Sequence, residues 1–176
     1  MNGFFLTQDV QDRTLSDYAG QWQSVYPLLK DGTLKPVMEA KAKKGDETVD
    51  EYTKYYETGY ATDVEKISTD NNRMSFTRNG KTVTATYRYE GYRILDYSKG
   101  NRGVRYLFSA TGNVPEGAPK TVQFSDHSIE PGNAAHFHIF MSDKSQDETL
   151  KEMGNWPTYY PQSLSTKEII TEMLAH

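Results

Sequence analysis

The sequence predicts a mainly β protein, an antiparallel β-barrel with several peripheral α-helices, on three observations. Short runs that alternate apolar and polar residues follow one another from Val64 to Met141, as strands with one buried face do. Asn79-Gly80 sits between two such runs, and Asn-Gly favours a tight hairpin because both central positions need positive φ. Helical patterns lie at the two ends of the chain, outside the succession of strands and turns, which suggests a closed barrel.

Taken in order, Leu15 to Leu29 (LSDYAGQWQSVYPLL) reads as a short polar turn entering an apolar strand. Helices are expected from about Lys35 to Lys44 and again after Thr48, where Val49, Tyr52 and Tyr56 share a face. Closing the Asn79-Gly80 turn sets Arg78 opposite Lys81, Phe76 opposite Val83 and Met74 opposite Ala85, so the apolar residues of both strands share one side. A turn is expected at Lys99-Gly100-Asn101, before a strand carrying Val104, Tyr106 and Phe108. Two more strands, about Thr121 to Ile129 and Ala134 to Met141, flank Glu130-Pro131-Gly132-Asn133. Capping boxes at Ser145/Glu148 and Ser165/Glu168 open two closing helices. Ile169, Ile170, Met173 and Leu174 form one stripe of the last helix, and NWPTYYP, Asn155 to Pro161, reads as a link packed over one barrel end.

A chain of 176 residues suits one domain with a real core, and 13 Tyr, 7 Phe and 2 Trp supply bulk that an apolar fraction of 36% understates. The formal net charge of −4 argues against a nucleic-acid partner, which would need an excess of Lys and Arg. No run of about 18 apolar residues exists to span a membrane. The opening MNGFFLTQDVQD lacks the basic start and long apolar run of an intact signal peptide. The absence of cysteine leaves His, Asp and Glu as the ligands for any tight transition-metal site.

Three of the four histidines, His127, His136 and His138, fall within twelve residues. In HFHIF, His136, His138 and Phe140 share a strand face. If Pro131-Gly132 closes the hairpin, His127 lies opposite His136 and diagonal to His138, at spacings from which imidazoles can converge on one ion. L-Pro-Gly suits such a turn poorly, and a one-residue slip would send His127 to the other face. Three imidazoles suit Zn(II), with Ni(II), Co(II) or Cu(II) as non-native occupants, and leave one tetrahedral position open. His176 reads as a frayed helix end and stays outside the set.

These residues carry a resemblance. QFSDHSIEPGNAAHFHIFMSD (Gln123 to Asp143), NWPTYYP and the closing EMLAH, with RTLSDYAGQWQSVYPLL, GYATDVE and GVRYLF upstream, resemble the ZinT family of zinc-binding proteins. The likeness covers Asp12 to His176 and implies one domain over 12–176, with 1–11 as an N-terminal extension or linker remnant. It implies a lipocalin-like (calycin) barrel, in keeping with Gly20-Gln21-Trp22, and zinc held by His127, His136 and His138, with Cd(II) as a further non-native occupant. It further implies an extracytoplasmic protein supporting zinc uptake by an ABC importer or its substrate-binding component. The same module forms the C-terminal domain of AdcA-type lipoproteins. The chain has no His before His127, and alanines (Ala85, Ala110) stand where some members carry a cysteine pair. Both departures favour a Gram-positive cell surface over a periplasm.

Two alternative functions follow from the open position and the barrel. A zinc-dependent hydrolase or hydratase would need a general base beside metal-bound water. Asp126 is expected on the face opposite His127 and Glu130 in the turn, which argues against an enzyme. A lipocalin-type carrier would need a roomy apolar cavity, whereas the tyrosines and histidines imply a filled, polar interior.

Overall fold

The computed structural model describes residues 5–97 and 102–176. Eight antiparallel strands close into one barrel in chain order: β1 (Gly20–Ser24), β2 (Lys66–Asp70), β3 (Arg73–Arg78), β4 (Lys81–Asp96), β5 (Arg102–Thr111), β6 (Thr121–Ser125), β7 (Phe137–Ser142) and β8 (Thr158–Pro161). Helices α1 (Tyr26–Lys30), α2 (Lys35–Lys44) and α3 (Val49–Tyr60) follow β1, α4 (Gln146–Leu150) follows β7, and α5 (Thr166–Leu174) follows β8. The architecture is the lipocalin-like barrel with peripheral helices that the sequence predicts. The expected turn at Lys99-Gly100-Asn101 lies outside the described residues.

Local chemistry sets several elements directly. Asn79 and Gly80 take φ of 49° and 77°, and the hairpin they close pairs Arg78 with Lys81, Phe76 with Val83 and Met74 with Ala85, as expected. Thr48 and Ser165 cap α3 and α5 with full capping boxes. Ser145 caps α4 through Glu148 N, but the Glu148 carboxylate turns to Lys151, so only half of that box forms.

Three expectations are corrected. First, the apolar strand after the Leu15 turn ends at Ser24, because Pro27 at the start of α1 turns VYPLL into a short helix. Second, NWPTYYP does not pack over a barrel end. Its TYYP residues form β8, which pairs with β1 on one side and β7 on the other and so closes the barrel. Third, the interior is filled but apolar. Trp22, Phe76, Tyr106, Phe124, Phe137, Ile139 and Tyr159 meet inside it, each at most 3% exposed. His136 and His138 alternate with Phe137 and Ile139 along the chain and therefore face outward. Residues just upstream of Asp12 also contact the barrel: Val10 is buried in its core and Gln11 N donates to the Ile129 carbonyl.

A second apolar layer lies outside the barrel wall, where Val25, Leu29, Leu34, Val37, Met38, Tyr60, Ile169 and Met173 from the helices pack around Tyr160 of β8. Strand alternation separates the layers, with Tyr159 facing the barrel and Tyr160 facing the helices.

The β3–β4 turn isolates one conformational cost. A Cβ at Gly80 would meet nothing within 4 Å, so substitution acts through the positive φ alone. Gly80→Ala is expected to lower stability by about 1–2 kcal/mol in denaturant unfolding, with m unchanged. A variant as stable as the parent would show that the turn tolerates another conformation.

Candidate metal centre

The β6–β7 ladder runs from Thr121↔Ser142 to Ser125↔His138 and stops there. Continued two steps, this register would set His127 opposite His136, as the sequence implies. The two-residue turn does not form, however. Residues 126–136 leave the ladder as a long loop with Pro131-Gly132 inside it, because L-Pro-Gly cannot supply the twist a tight hairpin needs. The loop still returns His127 to His136, with ring centres 5.6 Å apart, and His136 lies 6.3 Å from His138.

The structure adds a fourth imidazole. His176, beyond the end of α5, has its ring centre 6.0 Å from that of His127 and 5.6 Å from that of His136. The signal for it was present in the helix stripe: Ile169 and Met173 are buried, and His176 follows them by seven and three residues on the same face. With Zn–N bonds of 2.0–2.1 Å, two imidazoles on one tetrahedral ion have ring centres roughly 5 Å apart. The observed spacings are wider, and no group of three or more ligating residues among those described stands in closed coordinating geometry.

Protein contacts prepare two of the rings. Thr158 Oγ1 donates to the Trp156 carbonyl at 3.0 Å and so accepts from His138 Nδ1 at 2.6 Å. That assignment leaves the His138 Nε2 lone pair free for a metal and fixes the ring's orientation. His136 stacks on Tyr160 at 4.9 Å and 8°. Burial, reinforced by neighbouring imidazoles, pushes His136 down to about 4 and His138 to about 3. Both histidines therefore stay neutral, the form that binds metal, well below their ordinary range.

Above the histidines lies a cavity of about 450 Å³ walled by Tyr55, Tyr56, Trp156, Phe140, Lys41 and Arg105. Trp156 stands edge-on to His138 at 5.5 Å. It seats there because Gly59 of α3 has no side chain: a Cβ would come within 2.4 Å of the indole. Arg105 is 1% exposed and lies over Phe140 at 3.6 Å. It donates to the Thr149 and Glu152 carbonyls and so ties the segment leading to Trp156 to the barrel wall. Burial lowers this guanidinium to about 10, still protonated at neutral pH. Of the two nearby acids, Asp126 is bonded to Arg13 and Ser128 N, and Glu130 is solvent-exposed.

The chain is similar in sequence and in fold to known proteins. The family described as "ZinT (YodA) periplasmic lipocalin-like zinc-recruitment" matches residues 1–176. The chain is 56% identical over 176 residues to zinc-binding lipoprotein AdcA of Streptococcus pneumoniae, covering 99% of this chain and 35% of that protein. It is 47% identical over 175 residues to the probable metal-binding protein YrpE of Bacillus subtilis, covering 99% and 69% respectively. The chain thus spans about a third of the AdcA relatives' length. Among solved structures, Zn(II)-bound S. pneumoniae AdcA superposes with a TM-score of 0.95 at 55% identity, over 99% of this chain and 38% of that one. The Zn(II)-bound ZinT-like domain of the same protein gives 0.93 at 54%, over 98% and 96%.

The histidine environment predicts a pH dependence for the metal-free protein. Unfolding returns His136 and His138 to an ordinary value near 6.5, so below that pH the unfolded chain takes up protons that the fold refuses. Stability is then complete above about pH 6.5 and falls as pH drops towards about 4. Denaturant unfolding in chelator, stepped from pH 7.5 to 4.5, should show this loss. A His136→Gln/His138→Gln variant should show a flatter profile, and identical profiles would contradict the environment described.

Proposed function

This chain belongs to the ZinT family, and we propose that it captures Zn(II) outside the cytoplasm through His127, His136 and His138. In this reading His176 supplies the fourth nitrogen, and the ion is cargo passed to an ABC importer or its substrate-binding component. One observation carries the proposal: four imidazoles from a loop, a strand and the end of a helix meet with neighbouring ring centres 5.6 to 6.3 Å apart. The packing of α5 alone gives no reason for His176, 38 residues beyond His138 in the chain, to join the three histidines gathered by the loop and β7. The names of the relatives support zinc as the cargo and a Gram-positive cell surface as the location.

The ligand set also sets the limits of selectivity. Nitrogen ligands on an adaptable shell admit Cd(II), Co(II), Ni(II) and Cu(II) as well, and Cu(II) outcompetes Zn(II) in most such sites. Choice of zinc then rests on which ion is available outside the cell. The apolar, side-chain-filled barrel leaves the outer wall, and not the interior, as the functional surface.

Elemental analysis and calorimetric titration should give one zinc per chain. His136→Ala removes a held ligand and is expected to weaken binding about 100-fold, roughly a quarter of the binding energy of a four-ligand zinc site. His176→Ala should cost less, because water can replace an exposed ligand. Unchanged affinity in His136→Ala would overturn the site, and unchanged affinity in His176→Ala alone would remove the fourth ligand.

A further inference from the structure

The loop that carries His127 has no strand partner to hold it. Between Ser125 and Phe137 the ladder is absent, yet the loop must place one imidazole to within about an ångström. Its contacts converge on a segment more than a hundred residues earlier. Arg13, 1% exposed, donates through Nη1 to Asp126 Oδ1 at 2.6 Å and to the Ser128 carbonyl at 3.3 Å, and through Nη2 to the Gly132 carbonyl at 3.0 Å. Its Nε donates to Asp17 Oδ2 at 3.0 Å, and that same carboxylate accepts from Gly132 N at 3.2 Å. Ala134 N donates to the Asp17 carbonyl at 2.8 Å, and Ser128 N to Asp126 Oδ1 at 3.1 Å. The guanidinium is itself fixed between the rings of Tyr18, at 4.7 Å, and Tyr106, at 5.2 Å.

The loop is thus gripped on both sides of Pro131, at residues 126, 128, 132 and 134, by one buried cation and one short turn. Asp126 precedes His127 directly, so its anchoring fixes the backbone from which the imidazole projects. A buried arginine costs several kcal/mol in desolvation unless paired and hydrogen-bonded, and apolar residues would hold two segments together at no such cost. Directional bonds to three points of one loop give what apolar packing does not, namely a single loop conformation.

We infer that Arg13, Asp17 and Asp126 are positioning residues of the metal centre, acting on zinc affinity through His127 while touching no ligand ring among the hydrogen bonds described. The inference rests on the reading of the site given above. Such support for metal ligands typically accounts for 10–100-fold in affinity. Coupling is reciprocal: zinc held by His127 steadies residues 10–18 in turn, although they lie far from the ion in sequence.

The test is a double-mutant cycle on zinc affinity in the full chain, by competition with a chromogenic chelator at pH 7.5. Asp126→Asn keeps the shape of the side chain and leaves Arg13 its Asp17 partner, so the fold is spared the loss that Arg13→Ala would bring. Asp126→Asn should weaken zinc binding about 10-fold or more in the native background and clearly less in a His127→Ala background, where only the charge of Asp126 near His136 still acts. Arg13→Lys should behave alike, since a lysine cannot reach three acceptors at once. Co(II) bound to Asp126→Asn should show the altered d–d bands of His127→Ala. Phe76→Leu, on β3 in the barrel core, serves as a control that lowers stability and leaves affinity unchanged. Additive effects in the cycle, or native affinity in both Asp126→Asn and Arg13→Lys, would overturn the inference while leaving the site intact. If the native chain binds no zinc tightly, or His127→Ala binds it as well as the native chain, the reading of the site fails and the inference falls with it.

Discussion

The pairing of β8 between β7 and β1 is the constraint on which the barrel and the histidine site both depend. Four residues carry it. Thr158 accepts the His138 ring proton. Tyr159 stacks on Phe137 inside the barrel at 5.6 Å and donates through its hydroxyl to the Val64 carbonyl at 2.7 Å, and Tyr160 turns outward beneath His136. Strand alternation lets one short segment hold the core from one side and the histidines from the other. Loss of this strand would leave β1 and β7 as open edges and remove the support of two imidazoles at once.

Around that strand the helices act as a cover. Gly59 of α3 admits the Trp156 indole, which stands against His138, and Arg105 ties down the segment leading to it. The molecule therefore buries two arginines next to two different parts of one site, each bonded to main-chain carbonyls of an irregular segment. In both places regular hydrogen bonding has run out, and a multidentate side chain substitutes for it.

Much of this was legible in the sequence, and the exceptions have physical reasons. Asn79-Gly80 fixed its own register because turn type and apolar alternation agree. The register of β6 against β7 was also legible, although the turn meant to set it never forms. Here the core-facing residues Val122, Phe124, Phe137 and Ile139 decide the pairing, and the turn does not. TYYP was missed as a strand because it is four residues long and bounded by prolines, a pattern that argues against a central strand. The outward orientation of His136 and His138 was misjudged because alternation shows which residues share a face, not which face is inside. His176 was set aside by its place at the end of the sequence, although its spacing from Ile169 and Met173 continues the direction of that stripe just past the end of α5.

Placing the histidines outside the barrel separates two timescales. An ion coordinated within the barrel could leave only as fast as strands part, and native domains of this kind open globally in seconds to days. On the outer wall, one of the four imidazoles belongs to the exposed residue that follows α5, a helix of nine residues. Helix ends and covering loops move in nanoseconds to milliseconds with the core undisturbed. In the proposed role, residence time on this surface is thereby decoupled from the durability of the scaffold, so that an ion could come and go while the barrel stays closed.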